Sequence, residues 1–165
     1  NQTTMGRDFD KLSRNKSVVV QENPVDQWHW TETDVTEWCR LTLEKKLTGL
    51  ELIRTTGINV SISRFRRMRG EATLLNRRGE RIAIWDLDIY LEWSGVVRGV
   101  NGETIGGFGS YDIHLAHDDN DGEPQVKVST LQETKEAKAM VKLLTMPQSP
   151  ATPVMYRAVE QFLEE

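Results

Sequence analysis

The chain is 165 residues long, with 38% hydrophobic and 28% charged residues, which suits one globular domain and argues against a disordered chain. Its single cysteine, Cys39, excludes an internal disulfide and a cysteine-based zinc site and is typical of a reducing compartment. The sequence contains neither a run of about eighteen apolar residues nor the apolar core of a signal peptide, so we expect a cytoplasmic protein without membrane contact.

The first 22 residues are polar and mixed in charge, and only residues 18–20 favour a short strand. We therefore predict that residues 1–22 form a flexible N-terminal extension. Asn23 and Pro24 are typical of a turn, so we expect the folded domain to begin there and to span residues 23–165.

Residues 31–47 predict an N-terminal helix. Thr31, Thr33 and Asp34 compete for the N-cap, and a glutamate three residues after Asp34 completes a capping-box pattern. Acidic residues in the first turn and two lysines in the last turn suit the helix dipole. The residues expected on its buried face are Val35, Trp38, Cys39, Thr42, Leu43, Leu47 and Leu50.

After this helix the hydrophobic pattern changes to a period of two, which predicts β-strands. The clearest strand covers residues 81–95, and its expected buried face consists of Ala83, Trp85, Leu87, Ile89, Leu91 and Trp93. Shorter strands are predicted over residues 58–65, 71–76, 104–117 and 124–132.

Glycine-containing turns, such as the one around Gly79, separate these strands and predict hairpins in an antiparallel meander of four to five strands. Beyond the meander, residues 134–146 predict a helix that ends before Pro147. Residues 148–153 are typical of a linker, and residues 156–163 of a last amphipathic helix. An N-terminal helix, an antiparallel β-meander and C-terminal helices predict an α+β fold.

The charge of the chain is unevenly distributed. The net charge is −4, but the span 64–81 holds seven arginines and two glutamates, so it carries +5 and the rest of the chain carries −9. Arginine has a planar guanidinium that binds carboxylates and phosphates through paired hydrogen bonds. The sequence therefore predicts a basic patch that meets an acidic or phosphate-bearing partner, although a solvated strand face would carry such charges as well.

The three histidines do not predict a metal site. His29 has no histidine or cysteine at a ligand spacing, and His114 and His117 would point to opposite faces of a strand. The acidic run after His117 fails the EF-hand pattern, because counting Gly122 as position six places His117 at position one and Val128 at position twelve. The run therefore indicates an acidic hairpin tip.

The sequence does not predict a catalytic site either. Asp86 and Asp88 share one strand face and could act as a carboxylate pair, but an exposed face beside arginine-rich strands explains them as well. Gly106, Gly107 and Gly109 lie in a strand pattern, so they predict a bulge or a close backbone approach and not a phosphate loop. We expect a protein that is not an enzyme and uses no cofactor.

The most unusual segment is QWHWTETDVTEWC, residues 27–39, which holds three of the five tryptophans and a histidine between two of them. Trp28, Trp30 and Trp38 would form a sugar-binding platform if they were exposed. Trp30 directly precedes the predicted cap, where an apolar residue packs on the first helical turn, and Trp38 lies on the predicted buried face. Packing is therefore the favoured interpretation, with a sugar-binding module as an alternative.

Two segments resemble one known family. The run NPVDQWHWTETDVTEW at 23–38 and the run LNRRGERIAIWDLDIYLEWSG at 75–95 are similar to the N-terminal domain of the activators of heat-shock protein 90 ATPase. The resemblance covers most of the chain from Asn23 onward. It implies a cochaperone that binds the middle domain of heat-shock protein 90 and helps to reposition the catalytic loop of the chaperone, so that the chaperone hydrolyses ATP faster.

One family motif is N-x-N-N-W-H-W, which modulates how the chaperone handles nucleotide. Trp28, His29 and Trp30 match this motif, whereas Asp26 and Gln27 stand where the family has asparagines. The resemblance therefore implies a regulatory region at these residues.

The second family motif is a basic turn, R-K-G-K, that touches the chaperone. Arg77 and Gly79 match it, Arg78 keeps the positive charge of the lysine, and Glu80 reverses the last charge. Arg81 supplies a cation one residue later, although alternation along a strand places it on the opposite side. The resemblance implies partner contacts at Arg77, Arg78 and Arg81.

We expect Arg67 and Arg69 of the same basic span to add to this contact, which should act mostly on association rate and weaken with salt. The main alternative is a nucleic-acid-binding sheet with the cluster over 64–81 on phosphates. The acidic remainder of the chain argues against that alternative. We therefore expect a monomer that binds heat-shock protein 90 and neither nucleic acid nor membrane.

Overall fold

The computed structural model describes residues 17–20, 30–117, 123–146 and 149–164 and arranges them as an antiparallel sheet with three helices. The strands are β1 (Ser17–Val20), β2 (Trp30–Asp34), β3 (Glu51–Arg54), β4 (Ile58–Arg77), β5 (Glu80–Arg98), β6 (Thr104–Ala116) and β7 (Gln125–Ser129). The helices are α1 (Thr36–Leu47), α2 (Lys135–Thr145) and α3 (Ala151–Glu164). The strand order is β1-β2-β4-β5-β6-β7, with β3 also paired to β4. The α+β class is confirmed, but the described sheet has seven strands where four to five were predicted.

The chain before the first helix forms strand β2, where the sequence predicted a helix from residue 31. β2 pairs with the end of β4, and β1 pairs with β2, which confirms the short strand at 18–20. The predicted helix start is wrong because the threonine-rich segment supplies backbone hydrogen bonds to the edge of β4, and α1 begins only at Thr36. Its N-cap is Val35, although Oδ1 of Asp34 accepts a hydrogen bond from the backbone N–H of Thr36 at 2.9 Å. The predicted boundary at Asn23 lies outside the described residues and stays a prediction.

β4 is a single strand of 20 residues, although the sequence predicted two strands in this region. Its register with β5 shifts by one residue between Ile62 and Arg64 and again between Phe65 and Arg67. Each β-bulge interrupts the alternation of buried and exposed side chains. A search for a period of two therefore predicts two separate strands instead of one continuous strand.

The last helix, α3, begins at Ala151, inside the segment that was predicted to be a linker. Pro153 lies in its first turn, where proline is tolerated because the backbone N–H groups there have no partner within the helix. Helix α2 confirms the helix that was predicted over residues 134–146. Oγ1 of Thr134 caps α2 by accepting a hydrogen bond from the N–H of Ala137 at 3.3 Å.

The core lies between the three helices and one face of the sheet, here called the inner face. Met140 of α2 packs over Gly107 of β6, where a Cβ would lie 2.8 Å from the methionine sulfur. The close backbone approach predicted for the glycines of β6 is found at Gly109, where a Cβ would overlap the backbone carbonyl oxygen of Ser129. The predicted buried face of β5 is confirmed, with complete burial of Leu87, Ile89, Leu91 and Trp93.

The opposite face of the sheet, here called the outer face, carries the even-numbered residues of β5 from 82 to 92, which are exposed or half-buried. All three helices place their buried residues in the same core cluster on the inner face. None of the described helices therefore covers the outer face, and this face presents the long β4–β5 hairpin to solvent.

Candidate partner-binding surface

The β4–β5 hairpin ends in a tight turn at Arg78 and Gly79. These residues have φ angles of 53° and 80°, the left-handed conformation that a two-residue type I′ turn requires at both central positions. β5 pairs with β6 only from Asp86 onward. Residues 73–85, here called the hairpin arm, therefore extend beyond the end of β6.

The three arginines predicted from the basic turn do not share one face of the hairpin arm. Arg77 lies opposite Glu80 and has the outer-face orientation, whereas Arg81 lies opposite Asn76 on the inner-face side, as alternation predicted. Arg78 is exposed in the turn itself. A partner that contacts all three would therefore have to reach around the tip.

Three aliphatic side chains lie on the outer face of the hairpin arm, and Leu75, Ile82 and Ile84 are here called the apolar strip. Leu75 lies directly opposite Ile82, and Ile82 and Ile84 are 40% and 38% exposed. A contiguous exposed apolar patch that is rimmed by polar residues is typical of an interaction site.

Sequence reasoning placed Ile82 and Ile84 on the outward face but missed the surface that they form. The available signal was that two successive outward positions of the clearest strand are isoleucine, where a solvated face normally carries polar residues.

Next to the apolar strip, the outer face becomes acidic at Asp86 and Asp88, whose side chains are 74% and 46% exposed. His114 of β6 joins them, since its Nδ1 lies 2.7 Å from Oδ1 of Asp88 and its Nε2 lies 3.9 Å from Oδ1 of Asp86. A catalytic carboxylate pair needs a site that excludes water. These two carboxylates lie open to solvent on a sheet face, which supports the interpretation of an exposed charged surface.

Arg67 and Arg69 lie on the same outer face, farther from the tip. The guanidinium carbon of Arg67 is 4.7 Å from the ring centroid of Tyr90, which is a cation–π contact. Arg69 lies directly opposite Asp88. The structure therefore brings Arg67, Arg69 and Arg77 to the same face as the apolar strip, with Arg81 on the other side.

The predicted regulatory region lies almost entirely outside the described residues, which include neither Asp26, Gln27, Trp28 nor His29. Trp30 is the first residue of β2, and its backbone lies opposite Val20. The prediction that Trp30 directly precedes the helix cap is wrong, because β2 follows it and the N-cap is Val35. Packing is confirmed for Trp38, whose ring stacks on Phe162 at a centroid distance of 5.9 Å.

His114 and His117 lie on opposite faces, as predicted, since the ring of His117 contacts the inner-face Trp85 at a centroid distance of 5.7 Å. In the part of the chain that the structure describes, no three His, Cys, Asp or Glu side chains converge as metal ligands would. No helix in the same part is long and apolar enough to cross a membrane. The acidic run at 118–122 lies outside the described residues.

A known family model matches most of the chain. The model of the family described as activator of Hsp90 ATPase, N-terminal, matches residues 32–165. The activator of 90 kDa heat shock protein ATPase homolog 2 from Bos taurus is 35% identical over 74 residues, which is 45% of this chain and 28% of that protein. The Hsp90 co-chaperone AHA1 from Saccharomyces cerevisiae is 25% identical over 134 residues, which is 78% of this chain and 38% of that protein. The chain thus spans less than two fifths of the length of these relatives.

Solved structures share the fold at low sequence identity. Aha-1 from Plasmodium falciparum superposes with a TM-score of 0.64 and 16% identity and covers 81% of this chain and 85% of that one. The human Aha1 N-terminal domain superposes with a TM-score of 0.53 and 17% identity and covers 80% of this chain and 92% of that one.

Proposed function

Because this chain belongs to the family of activators of heat-shock protein 90 ATPase, through the N-terminal domain of that family, we propose that it binds the middle domain of heat-shock protein 90 and stimulates the ATPase activity of the chaperone. The observation that carries this proposal is the apolar strip on the outer face of the hairpin arm. In this proposal the protein is a monomeric cytoplasmic cochaperone, and the chemistry of ATP hydrolysis belongs to the chaperone alone.

The apolar strip has the composition of the centre of a protein–protein contact. Interface centres are depleted of charge and are surrounded by a polar rim. The strip lies between the cations Arg77 and Arg78 on one side and the carboxylates Asp86 and Asp88 on the other. Burial of the exposed parts of the two isoleucines would contribute roughly 1–2 kcal/mol to binding, so the flanking charges must supply orientation and the rest of the affinity.

The arginines at the turn have a different role from the strip. Exposed charges mostly increase the association rate and fix the register of a complex, and salt weakens their effect. Arg77 and Arg78 lie nearest to the strip and are the primary contacts in this proposal. Arg81 contributes from the opposite side of the tip, and Arg69 extends the contact along β4 toward Arg67.

Binding stimulates ATP hydrolysis only if this domain binds the ATPase-competent arrangement of the chaperone more tightly than other arrangements. A difference of about 1.4 kcal/mol in binding free energy shifts such an equilibrium tenfold. The hairpin arm suits this task, because two paired strands hold the strip and the arginines in fixed relative positions. We propose that the domain uses this surface to help reposition the catalytic loop of the middle domain.

The region that contains Asp26, Gln27, Trp28, His29 and Trp30 remains a proposed regulatory element, which would modulate how the chaperone handles nucleotide. Its support is the match of the tryptophan–histidine–tryptophan run to the family motif. Replacing Asp26 and Gln27 by asparagine would restore the asparagine pair of the family motif, with Pro24 still standing where the motif has its first asparagine. If the region acts on nucleotide handling, this double variant should change the apparent KM of the chaperone for ATP.

The direct test measures ATP hydrolysis by full-length heat-shock protein 90 at increasing concentrations of this chain. Stimulation should saturate, and hydrogen exchange of the full-length chaperone should slow in its middle domain when the chain is added. Saturable binding with protection confined to other domains would contradict the middle-domain assignment. The absence of both binding and stimulation would refute the proposed function as a whole.

A further inference from the structure

Four arginines of β4 lie on the outer face only because the strand contains two bulges. Strict alternation would place Arg64 and Arg66 on one face of the strand and Arg67 and Arg69 on the other. The register with β5 instead shifts by one residue before Arg64 and again before Arg67, and bulges re-aim the side chains beside them. All four arginines are exposed; they are here called the arginine column.

Contacts across the sheet place the arginine column on the outer face. Nε of Arg66 lies 3.7 Å from Oε1 of Glu92, an even-numbered residue of β5, and the guanidinium of Arg67 lies over the ring of Tyr90. Between the arginines, Phe65 and Met68 are half-buried against the core. The bulges thus turn two apolar side chains inward and four cations outward within six residues, 64–69.

The positive charge of the arginine column is only partly balanced by its neighbours. Glu92 and Asp88 lie opposite the column on β5, and Asp112 follows on β6 beside Lys127 of β7. Four arginines and one lysine face these three carboxylates, and Glu71 and Asp86 follow next to Arg69 on the same face. Burial raises the pKa of Asp112, and the positive charges of Arg66, Lys127 and Arg67 act against this rise, so several cations share this one carboxylate. The positive charge is therefore in excess around Arg64, Arg66 and Arg67, because these arginines and Lys127 face only Glu92 and Asp112.

The arginine column is also accessible from the side of the sheet. β3 pairs with β4 only as far as Ser61, and β2 pairs with β4 only from Thr73 onward. In the described ranges no strand lies beside β4 between these two points. A ligand can therefore approach the guanidinium groups from the outer face and from the margin of the sheet.

The geometry of the column selects an extended acidic peptide. Arg67 and Arg69 follow the second bulge as alternate residues of the strand and lie about 7 Å apart on one face, and an extended peptide repeats its side chains at the same interval. Aspartate or glutamate at alternate positions can therefore meet these two guanidinium groups, each through paired charge-assisted hydrogen bonds.

A nucleic acid fits the same surface less well. Single strands bind where aromatic rings are free to stack on bases, but Arg67 already covers the ring of Tyr90. The carboxylates of Glu92 and Asp88 beside the column would repel a continuous phosphate backbone, whereas a peptide can place neutral or basic residues next to them.

We propose that the arginine column is a binding site for an extended acidic segment of a protein, farther from the tip than the apolar strip. Glu71, Thr73 and Asp86 separate the two surfaces on the outer face. The site goes beyond the proposed function, because it is defined by the chemistry of its ligand and does not depend on the identity of the chaperone partner.

The test is a fluorescence anisotropy titration of the full chain with a labelled peptide of alternating glutamate and serine at low ionic strength. The control peptide has glutamine in place of glutamate. We expect saturable binding of the glutamate peptide and no saturable binding of the glutamine peptide. The double variant Arg67→Gln/Arg69→Gln should bind the glutamate peptide roughly three- to tenfold more weakly than the parent chain. The matched double variant Lys142→Gln/Arg157→Gln removes the same charge from exposed positions of α2 and α3 and should bind like the parent chain.

Three results would overturn the site: no saturable binding of the glutamate peptide, equal binding of the glutamine peptide, or full affinity in the Arg67→Gln/Arg69→Gln variant. A short single-stranded oligonucleotide serves as the competing ligand. If it bound more tightly than the glutamate peptide and lost affinity in the same variant, the column would be a phosphate-binding surface and the proposal would be wrong. Since the titration contains no chaperone, its result is independent of the ATPase test above.

Discussion

Leu75 and Ile82 lie directly opposite each other on the outer face of the hairpin arm, so that an apolar cross-strand pair near the tip faces solvent instead of the core. Such a pair adds at most about 1 kcal/mol to the stability of a hairpin. The exposed part of Ile82, which is 40% of its surface, therefore remains available to a complex.

The first prediction concerns the variant Ile82→Thr, which keeps the β-branch and removes apolar surface. Binding to heat-shock protein 90 should weaken roughly five- to tenfold, because a central apolar contact loses about 1 kcal/mol or more. Calorimetry measures the affinity, and thermal unfolding should show little change. Val96 is 40% exposed at the far end of the same strand face, so Val96→Thr is the matched control and should bind normally. Equal weakening by both variants would contradict a specific role for the strip.

The second prediction concerns the charge of the turn. Reversing it with Arg77→Glu/Arg78→Glu should weaken binding several-fold, mainly through slower association, because exposed charges act on the encounter of the two proteins. Stopped-flow association at low and high salt measures this effect, and the difference from the parent chain should shrink as salt screens the charges. Lys142→Glu/Arg157→Glu, on the exposed sides of α2 and α3, changes the net charge by the same amount and is the control. Unchanged affinity in calorimetry would remove Arg77 and Arg78 from the contact.

The fold was predictable where the hydrophobic pattern depends on local sequence alone. The buried face of β5 followed from alternation, and the helix α2 followed from its composition and from the proline after it. β2 was misassigned because its strand form depends on the edge of β4, about forty residues away in sequence. α3 was shortened because Pro153 suggested a break, although proline is compatible with a first helical turn.

The candidate surface was predictable in part. The basic turn with Arg77 and Arg78 was recognised from its sequence, as was the opposite orientation of Arg81. The position of Arg66 and Arg67 on the same face could not be predicted. The direction of each side chain depends on the register with β5, which the residues of β4 alone do not reveal.

The third prediction concerns Gly70, which lies in β4 between the arginine column and the hairpin arm and has a φ of 104°. A Cβ at this position would overlap the backbone carbonyl oxygen of Asp86 on β5. Gly70→Ala should therefore lower the free energy of unfolding by about 1–3 kcal/mol, as measured by urea denaturation. Gly57 has no such φ and open space around it, so Gly57→Ala should change stability by less than about 1 kcal/mol. If Gly70→Ala were as stable as the parent chain, the close approach of the two strands would not require glycine at this position.

The last prediction concerns Cys39 on the buried face of α1, where burial and, to a lesser extent, the charge of Asp34 raise the thiol pKa from 9.0 to about 12. The folded-state pKa of the thiol lies above its unfolded value. The contribution of Cys39 to the stability of the protein is therefore present below pH 9.0 and is lost as the pH rises toward 12. Between about pH 8 and about pH 10, the free energy of unfolding should fall by about 1.4 kcal/mol because of this thiol. Urea denaturation at both pH values measures the fall, and Cys39→Ala should show a fall that is smaller by that amount. If the parent and the variant lost equal stability, the thiol would not be the group that titrates.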